Sequence, residues 1–107
     1  MSDVTMTEFV AAQADGAFVV DVREPMEYVN GHVPGAVLIP MGQLPSRQAD
    51  LPRNAPVYVI CASGNRSSSM AAYLSGIGID ARSVRGGTSA WAAAGHPVVT
   101  GSHANVA

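Results

Sequence analysis

Residues 57–74 constrain the fold of this chain more than any other stretch. Residues 57–60 (Val-Tyr-Val-Ile) are apolar and mostly β-branched, which predicts a buried strand. Residues 67–74 carry their apolar side chains on one helical face. A loop of six residues lies between them, and it begins with Cys61, the only cysteine of the chain. The stretch is therefore predicted to run strand, loop, helix, with a thiol where the strand ends.

The loop, Cys-Ala-Ser-Gly-Asn-Arg, is suited to holding an anion. It leads into a helix N-terminus, where free backbone N–H groups and the helix dipole concentrate positive charge. Gly64 and Asn65 are the loop residues best able to adopt unusual φ values. A cysteine in such a loop is stabilised as its thiolate, which is the nucleophilic form. Cys61 is therefore predicted to be a nucleophile that faces an anionic or polarised group.

Strands and helices alternate along the rest of the chain. Besides the central strand, the sequence predicts strands at 3–4, 17–22, 36–39 and 81–84. Four helices are predicted. The first follows a capping box formed by Thr5 and Glu8, and the second begins at Pro25. The third covers 67–74 and ends before Gly76, and the fourth covers 90–94 with Thr88 or Ser89 as its N-cap. This alternation predicts an α/β fold, in which helices flank both faces of a parallel sheet.

Two charged residues lie where another predicted strand ends. Asp21 and Arg23 stand at the carboxyl end of strand 17–22, as Cys61 does after its own strand. Because ligand sites of open α/β sheets form outside these ends, both are candidate near-site residues. The alternative is that they only brace loops by hydrogen bonds. His32 is interpreted as a loop histidine bonded to backbone, and Trp91 as a packing residue.

Composition narrows the class of protein. The 107 residues predict one domain, 1–107, with a core over about 4–98 and a flexible tail over 99–107. A net charge of −2 gives no reason to expect a nucleic-acid partner. One cysteine excludes an internal disulfide and a multi-cysteine zinc site, and no metal or cofactor is expected. The sequence shows no apolar run of ~20 residues, so no membrane partner is expected. It also shows no signal peptide, and with its free thiol the protein is expected in the reducing cytoplasm.

Three motifs occur in a characteristic order. They are Asp21–Tyr28 continued by Gly31–Ala36, then Cys-x-x-Gly-x-Arg-Ser at 61–67, then Gly86–Trp91 continued by Gly95–Pro97. Together they resemble the motifs of rhodanese-like domains, and the resemblance covers roughly residues 4–98. It implies a single rhodanese-like domain with a five-stranded, mainly parallel sheet. It also implies an active-site loop that comprises Cys61, Ala62, Ser63, Gly64, Asn65, Arg66 and Ser67.

The resemblance implies a sulfurtransferase. Cys61 would take a sulfane sulfur from thiosulfate or another persulfide donor, and would pass it to a thiol or cyanide acceptor. The loop N–H groups would stabilise the terminal sulfur, and Arg66 with Arg23 would add positive charge for the donor. The family often has a basic residue directly after the cysteine, whereas this chain has Ala62. A protein or low-molecular persulfide is therefore as plausible a donor as thiosulfate.

Other functions remain open on sequence alone. The same cysteine could serve a sulfur carrier that hands its persulfide to a partner protein, or the domain could be a non-catalytic binding module. A cysteine phosphatase or arsenate reductase also needs a cysteine, an amide cradle and an arginine. The resembling phosphatases use a loop one residue longer than the four residues between Cys61 and Arg66. The shorter loop suits one sulfur atom better than a tetrahedral phosphate.

Overall fold

A five-stranded parallel sheet organises the computed structural model, which describes residues 2–104. Its strands are β1 (Ser2–Val4), β2 (Phe18–Asp21), β3 (Val37–Leu38), β4 (Val57–Ile60) and β5 (Ala81–Val84). Their order is β1-β5-β4-β2-β3, and every neighbouring pair is parallel. The predicted α/β fold is confirmed, and β4, which leads to Cys61, is the middle strand.

Helices cover both faces of this sheet. They are α1 (Met6–Ala14), α2 (Pro25–Asn30), α3 (Asn65–Gly76) and α4 (Gly87–Ala93), with 3-10 turns at Met41–Gln43 and Pro45–Asp50. The predicted capping box of α1 is confirmed. The Glu8 N–H donates to Thr5 Oγ1 over 3.1 Å, and the Thr5 N–H donates to Glu8 Oε1 over 2.9 Å.

The period-two alternation of β4 divides the core in two. Val57 and Val59 belong to the apolar cluster that packs under α3, and Cys61 continues their set. Tyr58 and Ile60 belong to the cluster on the opposite face, which includes side chains of α1 and α4. Burying each large apolar side chain stabilises the fold by about 1.5–3 kcal/mol. The alternation thus fixes both the sheet and the face on which the thiol lies.

Three helix boundaries differ from the prediction. Helix α3 begins at Asn65 rather than at residue 67, because Gly64 takes a left-handed φ of 112° and serves as its N-cap. Asn65 does not share this conformation, since no non-glycine residue in the described part has a positive φ. Helix α3 also includes Gly76, which was expected to follow it. Helix α4 begins at Gly87, ahead of the predicted caps.

The segment after residue 98 is bonded to the domain. The Val99 and His32 backbones pair with each other, and the Gly101 N–H donates to the Val29 carbonyl over 2.9 Å. These bonds involve the first part of the tail that was predicted to be flexible over 99–107, and residues 105–107 lie outside the described part. The two ring nitrogens of His32 lie 2.8 and 2.7 Å from the carbonyl oxygens of Tyr28 and His103, which confirms its interpretation as a backbone-bonded residue.

Candidate active site

Cys61 lies at the carboxyl edge of the sheet, directly after β4. The residue is 1% exposed, so its sulfur lies at the bottom of the loop rather than on the surface. The Gly64 N–H donates to Cys61 Sγ over 3.0 Å. Helix α3 starts at the next residue, which directs its free N–H groups and the positive end of its dipole toward the loop.

The polar surroundings of the sulfur favour its ionised form. Burial raises the pKa of the Cys61 thiol, but the hydrogen bond between its sulfur and the Ser67 hydroxyl, together with those from backbone N–H groups, outweighs this effect. The pKa therefore lies below its ordinary value. A larger fraction of Cys61 is thiolate at neutral pH than in an exposed cysteine, and the thiolate is the nucleophile.

Ser67 connects this sulfur to the sheet. Its hydroxyl lies 3.5 Å from Cys61 Sγ, where the thiol donates to it, and it donates to the Gly64 carbonyl over 3.1 Å. Ser83 of β5 provides a third partner, with 2.8 Å between the two hydroxyl oxygens. Both serines are buried. The loop is therefore bonded to a strand other than the one from which it emerges.

Helix α4 holds the loop from the other side. The Thr88 N–H donates to the Cys61 carbonyl over 2.8 Å, and the Ser89 N–H donates to the Ala62 carbonyl over 3.0 Å. These bonds satisfy two carbonyls at the start of the loop. Gly87 makes the approach possible, because a Cβ at this position would lie 2.5 Å from the Cys61 carbonyl oxygen.

Arg66 is joined to α2 by a bidentate ion pair. Its two terminal nitrogens donate to the two carboxylate oxygens of Glu27 over 2.7 and 2.9 Å. The hydrogen bond from Arg66 lowers the pKa of Glu27 to about 2, although partial burial raises it. Because the folded-state pKa is depressed, the pair stabilises the fold above the ordinary carboxyl pKa of 4.5, and this stabilisation is lost as the pH falls towards 2.

Asp21 and Arg23 form a second, buried ion pair. Arg23 Nη2 lies 2.9 Å from Asp21 Oδ2 and also donates to the Gly31 carbonyl over 2.8 Å. Asp21 pairs in register with Ile60, the residue before Cys61, so the pair lies beside the loop. In the described residues neither side chain bonds to the loop itself. This geometry fits the bracing role that the sequence left open.

Known proteins resemble this chain in sequence. The family model described as "Rhodanese-like domain" matches residues 5–94. The chain belongs to the rhodanese-like family. It is 37% identical to a sulfurtransferase of Allochromatium vinosum over 82% of this chain and 83% of that protein. It is 40% identical to the thiosulfate sulfurtransferase GlpE of Pseudomonas entomophila over 82% of each chain.

A solved structure supports the same family. The crystal structure of a rhodanese-related protein from Thermoplasma volcanium superposes with a TM-score of 0.88 and 32% identity, over 94% of this chain and all of that one. None of the helices described within residues 2–104 combines the length and the apolar character that a membrane-spanning helix requires.

The residues predicted for the rhodanese-like loop differ in their exposure. Cys61 and Ser67 are buried, Ala62, Gly64 and Arg66 are half-buried, and Ser63 and Asn65 are exposed. Sequence reasoning missed Glu27, Ser83 and the role of α4. Glu27 lies in the Asp21–Tyr28 motif and could have been paired with Arg66, but nothing local marks Ser83, since its partner is 16 residues away.

A surface hollow of the rhodanese-like domain lies away from Cys61. It measures about 420 Å³ and is lined near the amino ends of β2 and β4 by residues that include Asp15, Phe18 and Tyr58. Cys61 follows the opposite end of β4 and does not line it. The chemistry of the thiol, rather than the size of this hollow, therefore identifies the candidate site.

Proposed function

We propose that this rhodanese-like domain is a sulfurtransferase that works through a persulfide on Cys61. The observation that carries the proposal is the Cys61 sulfur, which accepts a backbone N–H bond and has a lowered pKa at the start of a helix. The names of its relatives support the same class of reaction. A reducing cytoplasm would keep the single thiol available.

The reaction has two halves. The Cys61 thiolate attacks the outer sulfur of the donor, and a new S–S bond forms as the donor's own S–S bond breaks. The electron pair of that bond leaves with sulfite when the donor is thiosulfate, or with a thiolate when the donor is a persulfide. A thiolate or cyanide then attacks the outer sulfur of the Cys61 persulfide, which regenerates the Cys61 thiolate.

The loop geometry favours a donor whose transferred atom stands at its end. With Cys61 1% exposed, only a slim terminal group can reach the sulfur. Both nearby arginines are paired with carboxylates, so the positive field comes chiefly from backbone N–H groups. This arrangement suits a terminal sulfane sulfur, whether thiosulfate or a persulfide carries it. The acceptor is a small thiol, cyanide, or a protein thiol if the domain acts as a sulfur carrier.

Intact-mass spectrometry tests the proposal directly. The protein is expected to gain the mass of one sulfur atom when incubated with thiosulfate or with a glutathione persulfide donor, and to lose it when cyanide or a thiol is added. Aryl phosphate hydrolysis is measured in parallel. No mass gain with either donor, or hydrolysis faster than sulfur transfer, would contradict the sulfurtransferase assignment.

Arg66→Lys is expected to slow sulfur transfer although it keeps the charge. Lysine cannot form the bidentate contact with Glu27, so the start of α3 loses about one charge-assisted hydrogen bond. A loss of ~1 kcal/mol in the free energy of unfolding lowers the melting temperature by roughly 4–8 °C, and a loss of ~1 kcal/mol in transition-state stabilisation slows transfer about fivefold. Steady-state kinetics and thermal unfolding measure the two effects.

Arg47→Lys is the matched control for this change. Arg47 pairs with Asp50 on the surface, where its side chain is 41% exposed. An exposed ion pair contributes little to stability, so Arg47→Lys should change neither the transfer rate nor the melting temperature measurably. If Arg66→Lys equalled the wild type in both measurements, the bracing role of Arg66 would be refuted.

A further inference from the structure

We infer that Ser83, a strand residue outside the Cys61 loop, is a positioning residue that aligns the Ser67 hydroxyl on the Cys61 sulfur. This inference rests on the proposed nucleophilic role of Cys61. Ser83 lies in β5 and is 2% exposed. Its Oγ lies 2.8 Å from Ser67 Oγ, and its side chain makes no other hydrogen bond to any described residue.

Ser67 is shared by three polar groups. Its oxygen lies 3.5 Å from Cys61 Sγ, 3.1 Å from the Gly64 carbonyl and 2.8 Å from Ser83 Oγ. A serine hydroxyl has one proton to donate and two lone pairs that accept. It can therefore donate to one of these groups at a time, and Ser83 determines which one is favoured.

Ionisation of Cys61 changes which group accepts the proton of the Ser67 hydroxyl. A thiol donates to Ser67, whereas a thiolate only accepts. The Gly64 carbonyl also accepts from the Ser68 N–H over 3.1 Å, so it stays paired when the Ser67 hydroxyl turns to the sulfur.

The proton of Ser83 completes the network in the thiolate state. Ser83 donates to Ser67 Oγ, which keeps that buried oxygen paired. A hydroxyl that accepts a hydrogen bond is polarised and becomes a better donor, so the bond from Ser67 to the thiolate is strengthened. The hydroxyl of Ser83 in turn needs Ser67, because a buried hydroxyl without a partner is costly. The two serines thus link β5 to the nucleophile.

The pH dependence of alkylation by iodoacetamide tests this inference on the full chain. Ser83→Ala is expected to slow alkylation of Cys61 about two- to tenfold at a pH below the thiol midpoint. Above the midpoint the rates should be comparable, since only thiolate stabilisation has changed. Ser83→Thr keeps the hydroxyl and should follow the wild-type profile. Valine has the shape of threonine but lacks the hydroxyl, so Ser83→Val should follow the profile of Ser83→Ala.

A double substitution separates positioning from packing. In a Ser67→Ala background, Ser83→Ala is expected to have no further effect on the profile, because the group through which it acts is gone. An unmoved profile in Ser83→Ala, or a shift that persists in the Ser67→Ala background, would overturn the inference. If Ser83→Ala melts below the assay temperature, equal profiles for the threonine and valine variants would overturn it instead. Alkylation needs no sulfur donor, so this outcome is independent of whether the protein transfers sulfur.

Discussion

Cys61→Ser is expected to abolish sulfur uptake while leaving the fold intact. A serine hydroxyl is a far weaker nucleophile at neutral pH, and the chain has no second thiol. The loop should persist, because a hydroxyl can accept from the Gly64 N–H and donate to Ser67 as the thiol does. The side chains are also similar in size, so the melting temperature should move by no more than about 4–8 °C, which corresponds to ~1 kcal/mol.

Intact mass after incubation with each donor, together with thermal unfolding, measures this result. Ser69→Ala is a suitable control, since Ser69 is an exposed residue of α3 and the variant keeps the thiol. It should take up sulfur as the wild type does. Sulfur uptake by Cys61→Ser at the level of this control would show that another group is the nucleophile.

Local signals account for most of the fold. The apolar run of β4 and the capping box of α1 are each contained in a few residues, and both are confirmed. The start of α3 could not be located so well. Gly64 caps this helix through its backbone conformation, without a side-chain hydrogen bond, and so leaves no capping side chain in the sequence. The helix therefore begins two residues before the predicted start.

The contacts that position the candidate site are long-range, and sequence patterns do not reveal them. Glu27 and Arg66 are 39 residues apart, and Ser67 and Ser83 are 16 apart. Each pair meets only because β2, β4 and β5 lie side by side in parallel. A hydroxyl in a predicted buried strand has no periodic signature. The loop and the position of its cysteine were therefore predictable from the sequence, whereas the residues from other elements that contact the loop were not.

Gly87→Ala is expected to impair both sulfur transfer and stability. A Cβ at this position would lie 2.5 Å from the Cys61 carbonyl oxygen and 2.6 Å from that of Ala62. Both are backbone atoms, so no side chain can rotate away. The residue also has a left-handed φ of 59°, which strains any side chain. The start of the loop or the start of α4 must move, and the bonds from Thr88 and Ser89 to the loop must lengthen.

The combined clash and backbone strain should destabilise the fold by roughly 2–5 kcal/mol, which lowers the melting temperature by about 8 °C or more. A loop displacement of about 1 Å should slow sulfur transfer about 100-fold. Transfer kinetics well below the melting temperature and thermal unfolding measure the two losses separately. Gly76→Ala is the baseline control, because nothing lies within 4 Å of its added Cβ.

Gly86→Ala separates the clash with the loop from general strain in α4. Its φ of 83° is also left-handed, but the added Cβ would meet Ala90 Cβ at 2.7 Å rather than the loop carbonyls. This variant should lose stability as Gly87→Ala does, with a much smaller loss of transfer rate. Because the two glycines are adjacent, a difference in rate at similar stability can come only from the position of the loop. Equal losses of rate would show that the clash with the loop carbonyls is not what slows transfer, and that Gly87 has no special role in setting the position of Cys61.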